Sequence, residues 1–531
     1  MDRPFEDSTY GDAKCLKNWP MIYVLENGRQ AYIGESTNVS RRMKEHKENL
    51  EKQIFDTVHF IYWKEFNQSV TFDYESRLIQ LFSADEHYIM MNKNDGLADK
   101  DYFDKQYYSE KFQLLWERLR KKKLVLHTIP ELMNSDLFKY SPYKALNESQ
   151  RRAVEAIFER VRGNLDQPVI VRGMPGSGKT IVAVFLFKYL KDYCDENGSQ
   201  IFADKKIGLV IPQTSLRKTL KNLFRHIYGL KAADVIGPSD VVRQKYDILL
   251  VDEAHRLHQR KNITNYRAHD ENNQRLGMMP DATELDWILR QSRCPILFFD
   301  AKQVVGPSGI PGELMEQAVN NSRGRRMAAY YTLSTQMRVK GGNSYIDYVT
   351  QLLDGKVKKK KLFDRYEFKV INSFARFEEL LLEKEKVNGL VRMVAGYAWP
   401  WISKKDKTKK DIVIEGHARM WNNRTKNWVH CPTAIDEVGC IHSVQGYDLN
   451  YAFVILGWDI GYDPRERRVT VDRKNYFDQK GKTPDEEKLS EYIKNIYYVL
   501  MTRGIEGTYL YVCDPELRKY LSQYIDVLES V

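Results

Sequence analysis

The chain has 531 residues, too many for one hydrophobic core, and its length predicts about three or four domains. Its net charge of +11 and pI of 9.0 suggest an anionic partner, most simply nucleic acid, although a solvated basic surface is the plainer alternative. The six cysteines form no CxxC pair, no apolar run reaches membrane-spanning length and no signal peptide is recognised. These features argue against a zinc site, a disulfide framework and a membrane partner, and they predict a cytoplasmic protein.

The first predicted elements lie in the stretch MIYVLENGRQAYIGESTNVSRRMKEH, which starts at residue 21. Apolar residues predict strands over residues 21–25 and 30–33, joined by an Asn-Gly turn. Gly34 is expected to end the second strand. Either Ser36 or Asn38 is expected to cap a helix that begins near residue 39.

Four side chains of this stretch are predicted to meet at one end of a small sheet. They are Tyr23 and Tyr32 on the two strands, and Arg42 and His46, which are four residues apart on one helix face. Singly, the tyrosines are more typical of packing pairs, and Arg42 with His46 of a solvated helix face.

A later helix, in the stretch VTFDYESRLIQLFSA, predicts a buried carboxylate. Glu75 shares one face with Leu78, Ile79 and Phe82. A carboxylate on an apolar stripe is costly unless it is paired or bound to metal. An ion pair with Arg77 or Lys64 is the alternative.

With these residues in place, residues 21–108 resemble the GIY-YIG nuclease domain, although Met21 stands where the family has glycine. The resemblance implies phosphodiester hydrolysis with one Mg²⁺ held by Glu75, and transition-state charge stabilised by Arg42. It also implies that Tyr23, helped by His46, positions or deprotonates the water, with its pKa lowered by Arg42 and the metal. Tyr32 would hydrogen-bond the phosphate or the water. The family's last asparagine is either Asn92 or Asn94.

The middle of the chain predicts a basic helix over residues 110–124 and then a linker, because prolines and polar residues follow. From residue 146 onward, short apolar strands alternate with helices, which predicts largely parallel sheets covered on both faces. The predicted strands are residues 169–172, 207–211, 248–252, 296–300, 451–457 and 509–513. Two lysine runs, residues 356–361 and 403–411, are more typical of solvated loops than of nucleic-acid contacts.

The strongest motif is GMPGSGKT, placed between a strand and an apolar helix. Its small residues let main-chain N–H groups surround phosphates at a helix N-terminus. Lys179 would contact the β and γ phosphates of ATP, and the Thr180 hydroxyl would bind Mg²⁺. The predicted nucleotide-binding residues of this loop are Gly173, Met174, Pro175, Gly176, Ser177, Gly178, Lys179 and Thr180.

Two further strand ends supply carboxylates and an amide to the same predicted site. In VDEAH, Asp252 is predicted to hold Mg²⁺ and Glu253 to orient and deprotonate the attacking water. In FFDAKQ, Asp300 ends a strand, and Gln303 is suited to sensing the γ-phosphate, although ordinary polarity at a sheet edge is an equal alternative.

On these motifs, residues 146–531 resemble a superfamily 1 helicase and, within it, the bacterial type of Schlafen-like helicase domain. The other matching stretches are LNESQ, VIPQTSLRKTL, TLSTQMR, IHSVQGYDLNYAFVILG and YVLMTRG. The resemblance implies that Gln150 reads the adenine, that Arg338 and Arg503 are arginine fingers, and that Gln445 and Gly446 centre the fifth motif.

Together these features predict an α/β chain in which a small α+β nuclease domain (residues 1–108) precedes a basic helix and linker (109–145) and two RecA-like lobes with parallel sheets (146–325 and 326–531). The predicted function is an ATP- and Mg²⁺-dependent nucleic-acid motor coupled to an endonuclease. DNA is favoured over RNA, and defence against foreign DNA or repair would suit the architecture by analogy. The alternatives are an RNA-directed enzyme and an ATP-gated binding switch whose nuclease fold does not cut. A homo-oligomer and an activating protein partner stay open.

Overall fold

The computed structural model describes residues 15–93, 101–144, 146–320, 327–424, 428–483 and 485–528. The chain folds into two compact units. The first comprises residues 1–154, 180–205 and 217–235, and the second comprises residues 155–179, 206–216 and 236–531. Within the described ranges, no helix is both long enough and apolar enough to cross a membrane.

The first unit is built on a four-stranded sheet in the order β3-β1-β2-β4. Its strands are β1 Met21–Glu26, β2 Gln30–Ser36, β3 Thr57–Ile61 and β4 Ile89–Met90. β1 pairs antiparallel with β2 and with β3, whereas β4 runs parallel to β2. The predicted turn is confirmed, since Gly28 has a φ of 75°. The prediction that Gly34 ends the second strand is wrong, because β2 keeps its pairing with β1 to Ser36.

Helices accompany this sheet, and α2 and α3 pack against its strands. They are α1 Cys15–Asn18, α2 Val39–Glu48, α3 Gln68–Asp85, α4 Lys105–Lys121, α5 Ile129–Met133 and α6 Asp136–Tyr140. Asn38 caps α2 by accepting a hydrogen bond from the Arg41 N–H, which settles the predicted choice between two caps. On α3, the three predicted apolar residues are each at most 1% exposed, so the predicted buried face is confirmed.

The segment that was predicted to be a linker, because of its prolines and polar residues, is folded. It contains α5 and α6, and Leu132, Tyr140 and Tyr143 within it are buried. The Asp85 carboxylate also accepts main-chain hydrogen bonds from Leu126 and His127 at 2.8 Å each. Local capping by Thr128 and Ser135 therefore forms short helices where composition alone indicates loop.

The second unit holds two large sheets. The first has the order β10-β5-β9-β8-β6-β7. Its strands are β5 Val169–Gly173, β6 Ile207–Val210, β7 Val235–Ile236, β8 Tyr246–Val251, β9 Ser292–Phe299 and β10 Ala329–Leu333. The pairs β10–β5, β5–β9, β9–β8 and β8–β6 are parallel. In chain order, the helices that alternate with these strands are α7 Glu148–Gly163, α8 Lys179–Asp192, α9 Thr214–Arg225, α10 Tyr266–Arg275, α11 Glu284–Gln291 and α12 Gly312–Asn320. Of these, the start of α7, α8 from residue 180 and α9 from residue 217 belong to the first unit.

The second sheet has eight strands in the order β13-β14-β15-β12-β16-β19-β11-β20. They are β11 Glu367–Ile371, β12 Val391–Ala395, β13 Ile412–Ile414, β14 His417–Trp421, β15 Glu437–Gly439, β16 Leu449–Leu456, β19 Gly504–Val512 and β20 Asp526–Leu528. A separate hairpin joins β17 Ile460–Asp463 to β18 Arg468–Val471. The helices are α13 Gly342–Leu353, α14 Phe374–Asn388, α15 Ile441–Val444, α16 Glu486–Met501 and α17 Pro515–Tyr524.

The pairing within this second sheet is parallel from β14 to β20, and only the β13–β14 hairpin at its edge is antiparallel among the described pairs. Each predicted strand is found, with its bounds shifted by at most five residues. A small mixed sheet followed by two largely parallel sheets confirms the predicted fold class.

Candidate functional sites

The hydroxyl of Tyr23 is placed by the glycine that faces it across the hairpin. Tyr23 of β1 pairs with Gly34 of β2. A Cβ added at Gly34 would lie 2.3 Å from the Tyr23 hydroxyl oxygen, well inside van der Waals contact. Glycine is therefore required at position 34 because its missing side chain leaves space for the phenol. It is not required there to form a turn.

The Tyr23 hydroxyl contacts both cationic residues predicted for this site. It lies 2.8 Å from Nε2 of His46 and accepts a hydrogen bond from Nε of Arg42 at 3.4 Å. Burial, with the charge on the Lys52 amine, lowers the pKa of His46 to about 4, so the imidazole is neutral at physiological pH. A neutral imidazole is able to accept a proton from the phenol.

The net shift in the pKa of Tyr23 is upward, although Arg42 lowers this pKa in the predicted direction. Burial raises the pKa of Tyr23 above its ordinary value, and Tyr32 adds to the shift while Arg42 opposes it. Because the phenol is almost fully buried, its anion loses hydration that Arg42 alone does not replace. The phenol is therefore neutral, and Tyr23 with His46 forms a neutral hydrogen-bonded pair.

Tyr32 brings a residue into the site that the sequence did not indicate. Nζ of Lys52 lies 3.4 Å above the centroid of the Tyr32 ring. Burial and the nearby charge of Arg42 lower the pKa of Lys52 to about 7. Tyr32 itself packs at 6.3 Å from Tyr23 and 5.6 Å from His46 between ring centroids.

Glu75 lies in the same site and is accompanied by a second carboxylate, Glu35, directly after the Tyr-Ile-Gly motif. Burial, followed by repulsion from Glu35, raises the pKa of Glu75 to about 7, and burial also raises the pKa of Glu35. Of the alternative partners proposed for Glu75, Arg77 instead pairs with Asp73.

The two carboxylates suit a magnesium ion. Mg²⁺ in proteins is commonly held by one or two carboxylates, with water and phosphate oxygens completing the shell. Among the residues that the structure describes, no three His, Cys, Asp or Glu side chains form a metal cluster. A dedicated all-protein cage is therefore not found in that part of the chain, whereas the donor chemistry of Glu75 and Glu35 fits Mg²⁺.

Asn92 supports the second strand next to Gly34. Its side-chain amide accepts a hydrogen bond from the Ile33 N–H at 3.1 Å and donates to the Ile33 carbonyl at 2.8 Å. Asn92 thus extends the pairing of β2 next to Gly34, which favours it as the family asparagine. The other candidate, Asn94, lies outside the described residues.

The predicted phosphate loop follows β5 and leads into α8. Gly176 and Gly178 both have a φ of 79°, a conformation that side chains other than glycine rarely adopt. The Lys179 ammonium donates to the carbonyls of Gly173 at 2.7 Å and Met174 at 3.2 Å, and it lies 3.4 Å from Oδ2 of Asp300. The loop is therefore closed around a buried lysine.

The remaining predicted residues of the loop occupy distinct places. Pro175 and Ser177 are buried, and Met174 packs against the core of the second lobe. Thr180 is the second residue of α8. Gln150, near the start of α7, is buried and accepts a hydrogen bond from the Asn147 N–H. The roles of Thr180 and Gln150 stay predictions.

The acidic pair after β8 is buried and strained. Asp252 is fully buried, and Glu253 adopts a φ of 50°. Nε2 of His255 lies 3.0 Å from Oε2 of Glu253. Although burial opposes ionisation, the charge and hydrogen bond of His255 hold the pKa of Glu253 below its usual range. Glu253 is therefore ionised and fixed.

A chain of side-chain contacts connects the phosphate loop to the second lobe. Asp300, which contacts Lys179, accepts a hydrogen bond from Nε2 of Gln303 at 2.8 Å. Oε1 of Gln303 in turn accepts from Arg503 at 3.3 Å and from Gln445 at 3.5 Å. The structure thus brings the predicted residues of four motifs together, with Arg503 only 1% exposed.

Arg338, the other predicted arginine finger, also lies at the phosphate loop. The neighbouring Met337 N–H donates to the Gly176 carbonyl at 2.8 Å. A Cβ added at Gly176 would meet the Arg338 Cβ at 2.8 Å. The Arg338 guanidinium is paired with Asp448, a partner that the sequence did not indicate.

Comparisons with known proteins match the two parts of the chain that contain these residues. Residues 166–514 match the Schlafen group 3, DNA/RNA helicase domain, and residues 20–97 match the GIY-YIG catalytic domain. An uncharacterised protein of Saccharomyces cerevisiae is 26% identical over 435 residues, which cover 71% of this chain and 90% of the yeast protein. Both predicted resemblances are confirmed, and the bacterial type stays a prediction.

Solved structures with similar folds include two helicases. The Pif1 helicase from Candida albicans is 12% identical with a TM-score of 0.24, over 46% of this chain and 55% of that one. The DEAD-box helicase Mss116, bound to ssRNA and UDP-BeF, is 14% identical with a TM-score of 0.34, over 74% of this chain and 80% of that one. The chain therefore spans little more than half the length of the Pif1 chain. The matched domains are a nucleotide-binding helicase domain and a nuclease domain, which confirms the prediction of an enzyme.

Proposed function

Because this chain belongs to the Schlafen group 3 DNA/RNA helicase domain family, we propose that it is an ATP-driven nucleic-acid motor that delivers its substrate to the GIY-YIG nuclease. DNA is the proposed substrate, and defence against foreign DNA or repair is the proposed setting. Tethering a nuclease to a motor raises the local concentration of its substrate without a new interface.

The observation that carries the proposal is the contact chain from Lys179 through Asp300 and Gln303 to Arg503. Lys179 would bind the β and γ phosphates of ATP, and Arg503 would stabilise the charge that develops on the γ-phosphate. Since these groups come from different lobes, hydrolysis would depend on how the lobes are closed, and lobe motion would drive stepping.

Glu253 would be the base of the motor site. Its carboxylate is ionised, and His255 fixes its direction, so it is suited to orient and deprotonate the water that attacks ATP. Asp252 would hold the Mg²⁺ of the ATP complex. Arg338 would exchange its partner Asp448 for the nucleotide when ATP binds.

In the nuclease, the proposed base is the neutral pair of Tyr23 and His46. The phenol would take a proton from the attacking water as it passes its own proton to Nε2 of the imidazole. Arg42 would contact the scissile phosphate and stabilise its added charge, while Tyr32 and Lys52 would contact a phosphate oxygen. When bound by Glu75, with Glu35 close by, Mg²⁺ would neutralise the scissile phosphate and the leaving oxygen.

The test is a cleavage assay on single-stranded and duplex DNA and on RNA, with Mg²⁺ and with or without ATP. Glu75→Ala is expected to abolish cutting while ATP hydrolysis and nucleic-acid binding persist. Lys179→Ala is expected to abolish ATP hydrolysis and, if the motor delivers substrate, ATP-dependent cutting.

Three outcomes would contradict parts of the proposal. If DNA supports ATP hydrolysis but is not cut under any condition, the first unit binds nucleic acid without cutting it. Cutting that survives Glu75→Ala would remove Glu75 as the metal ligand. Cutting and ATPase stimulation by RNA alone would replace DNA as the substrate.

A further inference from the structure

Residues 89–93 of the first unit lie between the nuclease sheet and a part of the chain that belongs to the helicase match. They comprise strand β4 and the three residues after it, and are here called the β4 segment. On one side, β4 pairs with β2. On the other side, the Met90 N–H donates to the His226 carbonyl at 3.0 Å, and the Met90 carbonyl accepts from the Tyr228 N–H at 3.1 Å. The β4 segment is therefore hydrogen-bonded both to the nuclease and to the chain after α9, within one compact unit.

Asn92 of the β4 segment is held from two directions. Its side chain hydrogen-bonds the N–H and the carbonyl of Ile33, next to Gly34. Its main-chain carbonyl accepts a hydrogen bond from the Tyr143 hydroxyl at 2.7 Å. Tyr143 is fully buried and belongs to neither matched domain. Burial raises the pKa of Tyr143 well above its ordinary value, so the hydroxyl keeps the proton that it donates. Tyr143 thus fixes the backbone of the residue that supports β2.

A buried lysine of α8 completes this cluster. Nζ of Lys188 donates to the Lys93 carbonyl at 2.9 Å and lies 5.3 Å from the centroid of the Tyr143 ring. Its charge is paired with the carboxylate of Asp192, one turn further along α8. Only 4% of Lys188 is exposed. Because a buried ammonium is costly to leave without partners, these contacts bind the end of the β4 segment to α8.

The same helix begins at the phosphate loop. α8 starts at Lys179, and Lys188 follows about two and a half turns later on the same continuous helix. Apolar side chains between these two lysines are fully buried, namely Val182, Ala183, Val184, Leu186 and Phe187. A helix that is packed in this way moves as a body, because a close-packed interior does not deform continuously. A displacement at the start of α8 on nucleotide binding would therefore be carried to Lys188.

We propose that Tyr143 and Lys188 are positioning residues of the nuclease, which hold Asn92 in place and tie it to α8. The inference rests on the proposed function and deepens it, because it names the residues through which nucleotide binding regulates cutting. Asn92 sets the position of β2 beside Gly34. Since Gly34 leaves only the space that the Tyr23 hydroxyl needs, a small shift of β2 changes the catalytic geometry.

The test compares two variants with controls from the first unit. Tyr143→Phe removes one hydroxyl and keeps the ring. Lys188→Met with Asp192→Asn removes the ion pair without leaving a lone carboxylate. Tyr74→Phe is the control for the first variant, because Tyr74 is also fully buried and its hydroxyl also donates to a main-chain carbonyl. Lys191→Met, at a half-buried lysine of α8, is the control for the second.

Each protein is assayed for DNA cleavage with Mg²⁺ and ATP, for ATP hydrolysis, and for hydrogen exchange of the β2 peptide that contains Ile33. Both test variants are expected to lower kcat for cleavage on the order of 10-fold, with KM and ATP hydrolysis unchanged. The β2 peptide should exchange faster in both, because Asn92 accepts from the Ile33 N–H. The controls should match wild type in cleavage and exchange, although Tyr74→Phe should lose as much thermal stability as Tyr143→Phe.

A non-hydrolysable ATP analogue with Mg²⁺ tests the part played by α8 without any cutting. Bound analogue is expected to slow exchange of the β2 peptide in wild type about 5-fold, the lower end of the usual coupling between sites. Lys188→Met with Asp192→Asn should lose this response while it binds the analogue as tightly as wild type. Lys191→Met should keep the response.

Wild-type cleavage and wild-type β2 exchange in both test variants would overturn the positioning role. Equal losses of cleavage in Tyr74→Phe and Tyr143→Phe would also overturn it, because lost stability would then explain both. A β2 peptide that ignores bound analogue in wild type would overturn the link to α8. If wild type never cuts, the nuclease part of the proposed function fails, while β2 exchange still decides whether Tyr143 positions Asn92. Should the Lys188 double variant unfold, Tyr143→Phe decides, since it removes a single oxygen atom.

Discussion

Arg503, in the segment between α16 and β19, donates a hydrogen bond from Nη2 to Oε1 of Gln303, 3.3 Å away in the turn that follows β9. Segments next to the two large sheets thus meet, and Arg503 also donates to the carbonyls of Tyr447 and Val499. Residues of its own lobe position the guanidinium of Arg503, and this group contacts the other lobe through the side-chain amide of Gln303. Such positioning avoids the cost of ordering a long side chain during catalysis.

Arg503→Ala is expected to lower the nucleic-acid-stimulated rate of ATP hydrolysis about 10³-fold, the lower end of the effect of an arginine finger. The affinity for ATP should change little, because the main-chain groups of the phosphate loop and Lys179 are untouched. Steady-state hydrolysis and nucleotide binding, measured together, separate these effects. Arg376→Ala, at a partly exposed ion pair on α14, is the control. Parallel loss of ATP binding would show that Arg503 holds the fold and not the transition state.

Gly34→Ala is expected to lower cleavage at least 10²-fold, since the added methyl group would displace the Tyr23 hydroxyl from His46 and misplacement by about 1 Å has that effect. ATP hydrolysis should persist, because Gly34 belongs to the first unit. Gly163→Ala, where an added Cβ meets nothing within 4 Å, serves as the control in the same cleavage assay. Normal cutting by Gly34→Ala would mean that Tyr23 is not the proton acceptor.

Spacing alone was sufficient to predict that Tyr23, Arg42 and His46 meet, because residues on paired strands and on consecutive helical turns have fixed neighbours. It could not give the direction of the Tyr23 pKa, which depends on burial by the whole first unit. Lys52 and Glu35 were missed for a related reason. Lys52 follows α2 without any motif, and only the tertiary fold lays its ammonium on Tyr32.

The motor site was predictable to a similar depth. The loop glycines and the acids after β8 follow from local patterns, and their places agree with those patterns. Two contacts were not predictable. One is the ion pair of Arg338 with Asp448, and the other is the hydrogen bond from the Ser403 N–H to the Asp411 carboxylate, which closes the loop of residues 403–411. Both depend on tertiary contacts, which neither composition nor periodicity encodes.

Lys52→Met is expected to lower cleavage about tenfold at pH 6 and to have little effect at pH 9. The pKa of Lys52 is lowered to about 7, so its attraction for phosphate is present below that pH and is lost as the pH rises through it. The cleavage rate against pH, for wild type and variant at saturating Mg²⁺, measures this difference. Lys47→Met, at an exposed lysine near the end of α2, should leave the profile unchanged. A uniform loss at all pH values would indicate a packing role against Tyr32.

Glu75→Gln is expected to stabilise the first unit at pH 8 in the absence of divalent cations, and not at pH 4. The folded-state pKa of Glu75, about 7, lies above its unfolded value of 4.5. The folded state therefore binds more protons between these values, and stability present below pH 4.5 is lost as the pH rises through 7. An uncharged amide escapes this loss. Hydrogen exchange of the β1 and β2 amides follows the first unit separately from the second.

Adding Mg²⁺ at pH 8 should slow this exchange in wild type and not in the variant, since an ion held by Glu75 removes the same electrostatic penalty. Equal protection of both proteins by Mg²⁺ would place the metal elsewhere.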